Sequence, residues 1–202
     1  MTDRRDLLRG AAALTVATWI APSVVTLDRV SAAVGSVVAE MPAVGGGAVL
    51  IDPPATIAEG TAPYDSNANT WVWSEQSCVV LASALGVNRT AAGSFGGSNF
   101  GGSIPAGTTI CSFYVHGDRL DDNGRLQGNM TFTTSTILGL IFKTTQLNNS
   151  AFLESPTTTY FPAPMEGNDR MVLDLTPGAN SLSWDMRFGA ALDGIRVITD
   201  CG

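Results

Sequence analysis

GTTICSFYVHGDRLDDNGRLQGNMTFTTSTILGLIF, residues 107–142, carries the clearest structural signal in this chain. Residues 108–115 are of strand-forming type, and 119–124 end in the Asn-Gly pair that supplies the positive φ angles of a tight turn. From 124 to 134 apolar and polar residues alternate, which is the period of a strand with one buried face. Residues 137–142 are apolar on both faces, as in a central strand. The segment therefore predicts three strands and one tight turn.

Short strands of the same kind are predicted along the rest of the chain. They lie at 71–73, 78–83, 170–175, 181–188 and 193–199. Counting gives about eight strands separated by turns, and the one helical signal is a short turn at 146–154. No internal repeat is present, which argues against a propeller or a solenoid. We predict an all-β fold, in the form of an antiparallel two-sheet β-sandwich of the jelly-roll type.

Composition limits the classes of partner. The chain has 202 residues, of which 45% are hydrophobic and 14% charged, and this balance is typical of a packed domain. Its 11 basic and 18 acidic residues give a formal net charge of -7. Because an acidic surface repels phosphate groups, we expect neither nucleic acid nor an anionic membrane surface as a partner.

The first 33 residues have the features of an export signal. Arg4-Arg5-Asp6-Leu7-Leu8-Arg9 resembles the bacterial twin-arginine motif, and the apolar segment 10–25 behind it is short for a membrane span. Small residues before Val34 suit cleavage after Ala33, while an uncleaved anchor helix is the alternative. We expect a protein exported to the periplasm, the cell surface or the medium, with no membrane association once the signal is removed.

The rest of the chain divides by composition into two parts. Residues 34–66 are rich in Gly, Ala and Pro and predict an arm or spacer, in which 48–52 alone have the character of a strand. Residues 67–202 predict the β-sandwich domain.

Several segments together carry a resemblance to a known group of proteins. They are IPAGT at 104–108, SFYVHGD at 112–118, LQGNMTF at 126–132, ILGLI at 137–141 and DGIRVIT at 193–199. This succession resembles secreted bacterial domains found in surface proteins that carry a PEP-CTERM sorting signal or a dockerin. The resemblance implies an exported β-sandwich and no particular chemistry.

Four residues are candidates for binding a ligand. Trp71 and Trp73 share one face of a strand and could stack on sugar rings, and Tyr114 and His116, which share one face of their own strand, are the other two. The alternative is that both indoles are buried in the core and that His116 is hydrogen-bonded inside the fold. His116 is the chain's one histidine, which excludes His-rich zinc sites and cupin-type iron sites.

An oxygen-rich cluster is the candidate metal site. Asp118, Asp121, Asp122 and Asn123 could hold Ca²⁺ between loops of a sandwich, although the spacing does not fit an EF-hand. The alternative is a solvated turn. No other cofactor is predicted.

We predict a non-catalytic module of the cell surface or extracellular matrix, with a polysaccharide or another surface protein as its partner. No catalytic residues are assigned. The alternative function is a carbohydrate-active enzyme that uses two carboxylates drawn from Glu75, Asp174 and Asp185.

Cys78, Cys111 and Cys201 predict one disulfide and one remaining thiol, since export places them where disulfides persist. Three pairings are open. We expect Cys78–Cys201, because an antiparallel sandwich often lays its last strand beside an early one. The competing pair Cys78–Cys111 would leave Cys201 able to link two chains.

Overall fold

The computed structural model describes residues 39–58, 63–96, 101–120, 124–160, 170–174, 180–188 and 193–201. The strands among them are β1 (Ala43–Gly45), β2 (Ala48–Leu50), β3 (Thr70–Val80), β4 (Leu85–Val87), β5 (Gly93–Gly96), β6 (Gly102–Ile104), β7 (Thr109–Gly117), β8 (Gly124–Thr131), β9 (Ile137–Ile141), β10 (Arg170–Asp174), β11 (Ser181–Phe188) and β12 (Asp193–Thr199). A short helix, α1, spans Thr144–Asn149, and a 3-10 turn spans Ala151–Leu153. The predicted all-β class is confirmed. The predicted signal segment 1–33 lies outside the described residues.

Most of these strands belong to two five-stranded sheets. Sheet A has the strand order β1-β8-β11-β10-β5, and its pairs are antiparallel. Sheet B has the order β2-β3-β7-β12-β9, in which β2 runs parallel to β3 and the other pairs are antiparallel. β4 and β6 form a small third sheet. The three strands predicted within 107–142 are present, but β7 belongs to sheet B whereas β8 belongs to sheet A.

A large apolar core takes its side chains from both five-stranded sheets. They include Val72, Phe113, Val115 and Val197 from sheet B, and Leu126, Met130, Trp184 and Met186 from sheet A. In β8 every second residue is buried, which matches the alternation in the sequence. Burial of each such side chain stabilises the fold by about 1.5–3 kcal/mol, so this shared core holds the two sheets together.

Sheet B is buried on its second face as well. A second apolar cluster lies there, formed by residues that include Ile57, Trp73, Ile110, Tyr114, Ile141, Leu147, Leu153 and Ile198. Leu147 comes from α1 and Leu153 from the 3-10 turn, so these two elements cover the face. Burial on both faces explains why every residue of β12 is buried and why 137–142 is apolar without alternation. Sheet A, by contrast, presents exposed polar residues on its outer face, among them Gln127 and Asn129.

The segment 34–66, predicted as an arm or spacer, supplies edge strands to both sheets in its described part. β1 pairs with β8 and β2 pairs with β3. Between them, Gly46 and Gly47 have φ angles of 66° and 101°, which L side chains rarely adopt. The glycines of this segment therefore serve a tight turn between two sheets instead of a spacer, and the sheets begin before residue 67. No helix of the described part has the length and apolarity needed to cross a bilayer.

Candidate functional site

The four residues predicted to bind a ligand lie together in sheet B. Trp71 is the register partner of His116, and Trp73 is the register partner of Tyr114. The rings of Trp73 and Tyr114 lie 5.1 Å apart, and Tyr160 packs against Tyr114 with its ring centre 5.2 Å away. Trp73 is 0% exposed, and Tyr114 and His116 are each 1% exposed. The structure thus brings the four residues together, but Trp73 and Tyr114 belong to the second apolar cluster and Trp71 packs against it.

This burial corrects the hypothesis that a sugar stacks on the two tryptophans. The indole N–H of Trp73 donates to the Tyr160 hydroxyl at 3.1 Å, inside a face that α1 and the 3-10 turn cover. Trp71 is partly buried, and its indole N–H donates to the Tyr64 carbonyl oxygen at 2.6 Å. Because Trp73 is fully buried, it offers no open ring face, and the core alternative describes it; Trp71 packs against the same cluster and stays partly exposed.

The imidazole of His116 is buried inside the fold. Its Nδ1 atom is buried and has no hydrogen-bond partner among the described residues. Burial lowers the pKa of His116 to about 4, because the surroundings disfavour the charged ring. The imidazole is therefore neutral at neutral pH.

A buried ion pair lies beside these rings. Arg196 Nε donates to Glu75 Oε2 at 2.7 Å, and Arg196 Nη2 donates to Glu75 Oε1 at 2.8 Å. Arg196 Nη1 donates to the Leu147 and Ser150 carbonyl oxygens at 3.2 and 3.1 Å and to Ser150 Oγ at 2.6 Å. Its guanidinium also lies over the rings of Tyr114 and Tyr160, at 5.7 and 5.8 Å. Arg196 thus ties α1 and the turn after it to sheet B.

The charge state of this cluster follows from burial and pairing. Burial raises the pKa of the Glu75 carboxyl, and the Arg196 guanidinium opposes that rise. Burial alone would lower the pKa of Arg196, but the Glu75 carboxylate raises it above its ordinary value. The guanidinium is therefore charged, and its N–H groups point at acceptors within the protein. The arrangement suits a structural role better than the binding of an anionic substrate.

The carboxylates considered for an enzyme do not converge among the described side chains. Glu75 lies on the face of sheet B that α1 covers, whereas Asp185 lies on the outer face of sheet A. The two groups lie on different sheets, each on the face turned away from the apolar core that the sheets share, so they do not form a catalytic pair. Asp174 is in β10, and its side chain is outside the described set.

The structure describes one member of the predicted calcium cluster. Asp118 is 2% exposed, and its carbonyl oxygen accepts a hydrogen bond from the Ser66 backbone N–H at 2.9 Å. Asp121, Asp122 and Asn123 lie outside the described residues. The calcium site stays a prediction.

The disulfide joins Cys111 to Cys201, and the expected Cys78–Cys201 pairing is wrong. The last strand, β12, does lie beside an earlier strand, but that strand is β7, and Thr199 is the register partner of Cys111. Cys78 is on β3, which is one strand further away in sheet B. The prediction failed because it depended on strand order, which the spacing of the cysteines does not encode.

An open polar surface, which the sequence reasoning did not single out, runs across the outer face of sheet A. Three adjoining depressions among the described residues, of about 330, 280 and 250 Å³, share lining residues and form one continuous depression. We call it the sheet A furrow. Its lining includes Gly46, Arg125, Gln127, Asn129, Thr131, Val172, Ser181, Ser183 and Asp185.

The strand register arranges the polar groups of the furrow in rows. Asn129 lies opposite Ser183, and Gln127 lies opposite Asp185, on the antiparallel pair β8–β11. Directly opposed residues of such a pair are about 5 Å apart, so neighbouring side chains can contact the same ligand. Arg125 donates from Nε to Asp185 Oδ1 at 2.8 Å and makes a second, parallel contact through Nη2. The surface therefore offers amides, hydroxyls and one paired acid and base.

The signal for this furrow was present in the sequence but incomplete. In 124–134 and 181–188 the polar residues alternate with apolar ones, so each strand was predicted to have a polar face. The pairing of β8 with β11, which brings the two polar faces side by side, is a long-range feature that the pattern does not reveal.

Comparisons with protein-family models, with curated proteins and with solved structures found no match to this chain. The resemblance to secreted domains of bacterial surface proteins accordingly stays a prediction.

Proposed function

We propose that this protein is an exported, non-catalytic β-sandwich module that binds a polysaccharide along the sheet A furrow. The observation that carries the proposal is the continuous row of hydrogen-bonding side chains on an otherwise open sheet face. Sugars present many hydroxyl groups, and amide, hydroxyl and paired charged side chains can donate to them and accept from them.

The composition of the furrow favours a neutral, polar ligand. Asp185 is paired with Arg125, so the furrow has no strong charge of either sign among its described side chains. The acidic balance of the whole chain disfavours phosphate-rich ligands. Since the depressions adjoin one another along β8, a chain-like ligand fits the surface better than a single small molecule.

The fold and the compartment in this proposal have separate support. The core that takes side chains from both five-stranded sheets supports a sandwich. The Cys111–Cys201 disulfide and the twin-arginine-like residues near the N-terminus support export, because disulfides persist outside the cytoplasm.

The experiment is a binding screen against a panel of soluble polysaccharides, followed by isothermal titration with the best binder. We expect Asn129→Ala and Ser183→Ala each to weaken binding by about 2- to 10-fold, the effect of one lost hydrogen bond. Asn148→Ala is the matched control, because Asn148 is exposed on α1 and lies away from the furrow.

Two results would overturn the proposal. One is a wild-type protein that binds no polysaccharide, or binds one with an affinity that neither furrow substitution changes. The other is the release of shorter sugars or new reducing ends from the bound polysaccharide, which would show an enzyme.

A further inference from the structure

The three cysteine sulfurs converge where β3, β7 and β12 lie side by side. The Sγ atoms of Cys78, Cys111 and Cys201 all lie within 4.8 Å of one another. Cys111 and Cys201 form the disulfide, with their Cα atoms 5.6 Å apart, and Cys78 is not part of it. Cys111 is buried, whereas Cys78 and Cys201 are partly exposed. A thiol is therefore positioned next to a disulfide within one fold.

The strand order puts the strand of Cys111 beside the strand of Cys78 and beside the strand that Cys201 follows. β7, which carries Cys111, lies between β3 and β12 in sheet B. The pairing of β3 with β7 shifts register between Gln76 and Val79, and within this irregular part Cys78 has a φ of 55°. This bulge turns Cys78 toward the core shared with Cys111, and the Cys78 backbone N–H donates to Cys111 Sγ at 3.4 Å.

We propose that the three sulfurs form a thiol–disulfide exchange site, in which Cys78 attacks Cys111 and converts Cys201 into a thiol open to modification. The Cys78 thiol first gives its proton to solvent. Its thiolate then forms a bond to Cys111 Sγ while the Cys111–Cys201 bond breaks, and the Cys201 thiolate takes up a proton. One disulfide and one thiol are present before and after, so the step needs no oxidant or reductant.

The exchange changes which strands are covalently linked. In the Cys111–Cys201 form the disulfide joins β7 to the residues that follow β12, and in the Cys78–Cys111 form it joins β7 to β3. Cys201 is partly exposed, so its thiol is accessible to a low-molecular-weight electrophile or disulfide. Exchange thus makes Cys201 a covalent modification site.

The test is peptide mapping of the native protein after labelling with N-ethylmaleimide. The protein is held for increasing times at about pH 8.5, where more thiolate forms and exchange accelerates, and is then labelled and digested in acid. We expect label at both Cys78 and Cys201, with the Cys201 label rising over time together with a Cys78–Cys111 peptide. In Cys78→Ser the nucleophile is missing, so Cys201 should stay unlabelled.

A second variant tests the same geometry independently. Cys201→Ser, treated with oxidised glutathione, should form the Cys78–Cys111 disulfide and retain no thiol, with its fold monitored by tryptophan fluorescence. The proposal fails if wild-type protein is labelled at Cys78 alone at every time point. It also fails if folded Cys201→Ser keeps two separate thiols or two glutathione adducts.

Discussion

The ion pair between Glu75 and Arg196 offers a direct test of what holds the cover over the second face of sheet B in place. Both side chains are almost fully buried, with 0% and 1% exposure. Replacing Arg196 with Met keeps much of the side chain's volume but removes two charged hydrogen bonds to Glu75. The substitution also removes the donor for the Leu147 and Ser150 carbonyl oxygens. The cover over the second apolar cluster should therefore loosen.

The expected cost can be worked out from these contacts. Removing one partner of a buried ion pair typically costs about 3–5 kcal/mol, because it leaves the other charge buried and unpaired. We expect Arg196→Met to lower the free energy of unfolding by that amount. Combining it with Glu75→Leu removes the stranded charge, so the double variant should be more stable than Arg196→Met alone.

Urea unfolding followed by tryptophan fluorescence, with the disulfide intact, measures these free energies. Arg125→Met is the matched control, because Arg125 also contacts a carboxylate, that of Asp185, through two nitrogens but is 49% exposed. An exposed pair contributes at most about 1 kcal/mol, so the control should remain close to wild type. If Arg196→Met costs no more than Arg125→Met, or if the double variant is the least stable of the set, the cluster does not hold the cover in place.

Two further predictions concern acid stability. Burial lowers the pKa of His116 from 6.5 to about 4, so below pH 6.5 the unfolded chain binds a proton that the folded protein resists. Urea titrations should show that the free energy of unfolding of the wild type falls by about 3 kcal/mol between pH 6.5 and 4 and that this fall is absent in His116→Gln. An equal fall in that variant would contradict the assignment of the effect to His116. Burial alone would raise the pKa of Glu40, but hydrogen bonds from the backbone N–H groups of residues 133–135 lower it to about 2. The ionised Glu40 carboxylate contributes about 1 kcal/mol, after solvent screening, to the free energy of unfolding. This contribution is present above pH 4.5 and is lost as the pH falls toward 2. Glu40→Gln should therefore be less stable than wild type at pH 7 and equal to it at pH 2, and a deficit that persists at pH 2 would assign its effect to packing.

Local patterns predicted most of the strands but did not assign them to sheets. They missed β1, β4, β5 and β6, and the segments predicted as separate strands at 71–73 and 78–83 both fall on β3. The alternation in 124–131 and 181–188 reports a strand with one buried face, and both segments are such strands. The turn residues at 119–124 report only that the chain changes direction. They do not tell whether it returns along the same sheet, and here it passes from β7 in sheet B to β8 in sheet A.

For the candidate sites, too, the local pattern predicted which residues share a face but not the long-range packing around them. Trp71 and Trp73 occupy alternate positions of a strand, so the sequence was enough to predict that they share a face. Whether that face is open to solvent depends on what packs over it. Part of the cover comes from α1 and the 3-10 turn, more than 70 residues further along the chain by their numbering. Only Leu147 and Leu153 are buried within these two elements, which is too weak an apolar pattern to predict a cover. Core packing thus decided between two readings that the sequence had left open.

The burial of both faces of sheet B is also the physical reason why we propose ligand binding on sheet A. A sugar could stack on Trp73 only after displacing the rings of Tyr114 and Tyr160 packed against it, over which the Arg196 guanidinium lies. That displacement would break the buried pair with its cost of about 3–5 kcal/mol, and such a penalty would weaken binding by at least about 100-fold. The sheet A furrow requires no such opening, because Asn129 and Ser183 are already exposed. A binding defect in the furrow variants, with none in Arg196→Met where it stays folded, would therefore locate the ligand on sheet A.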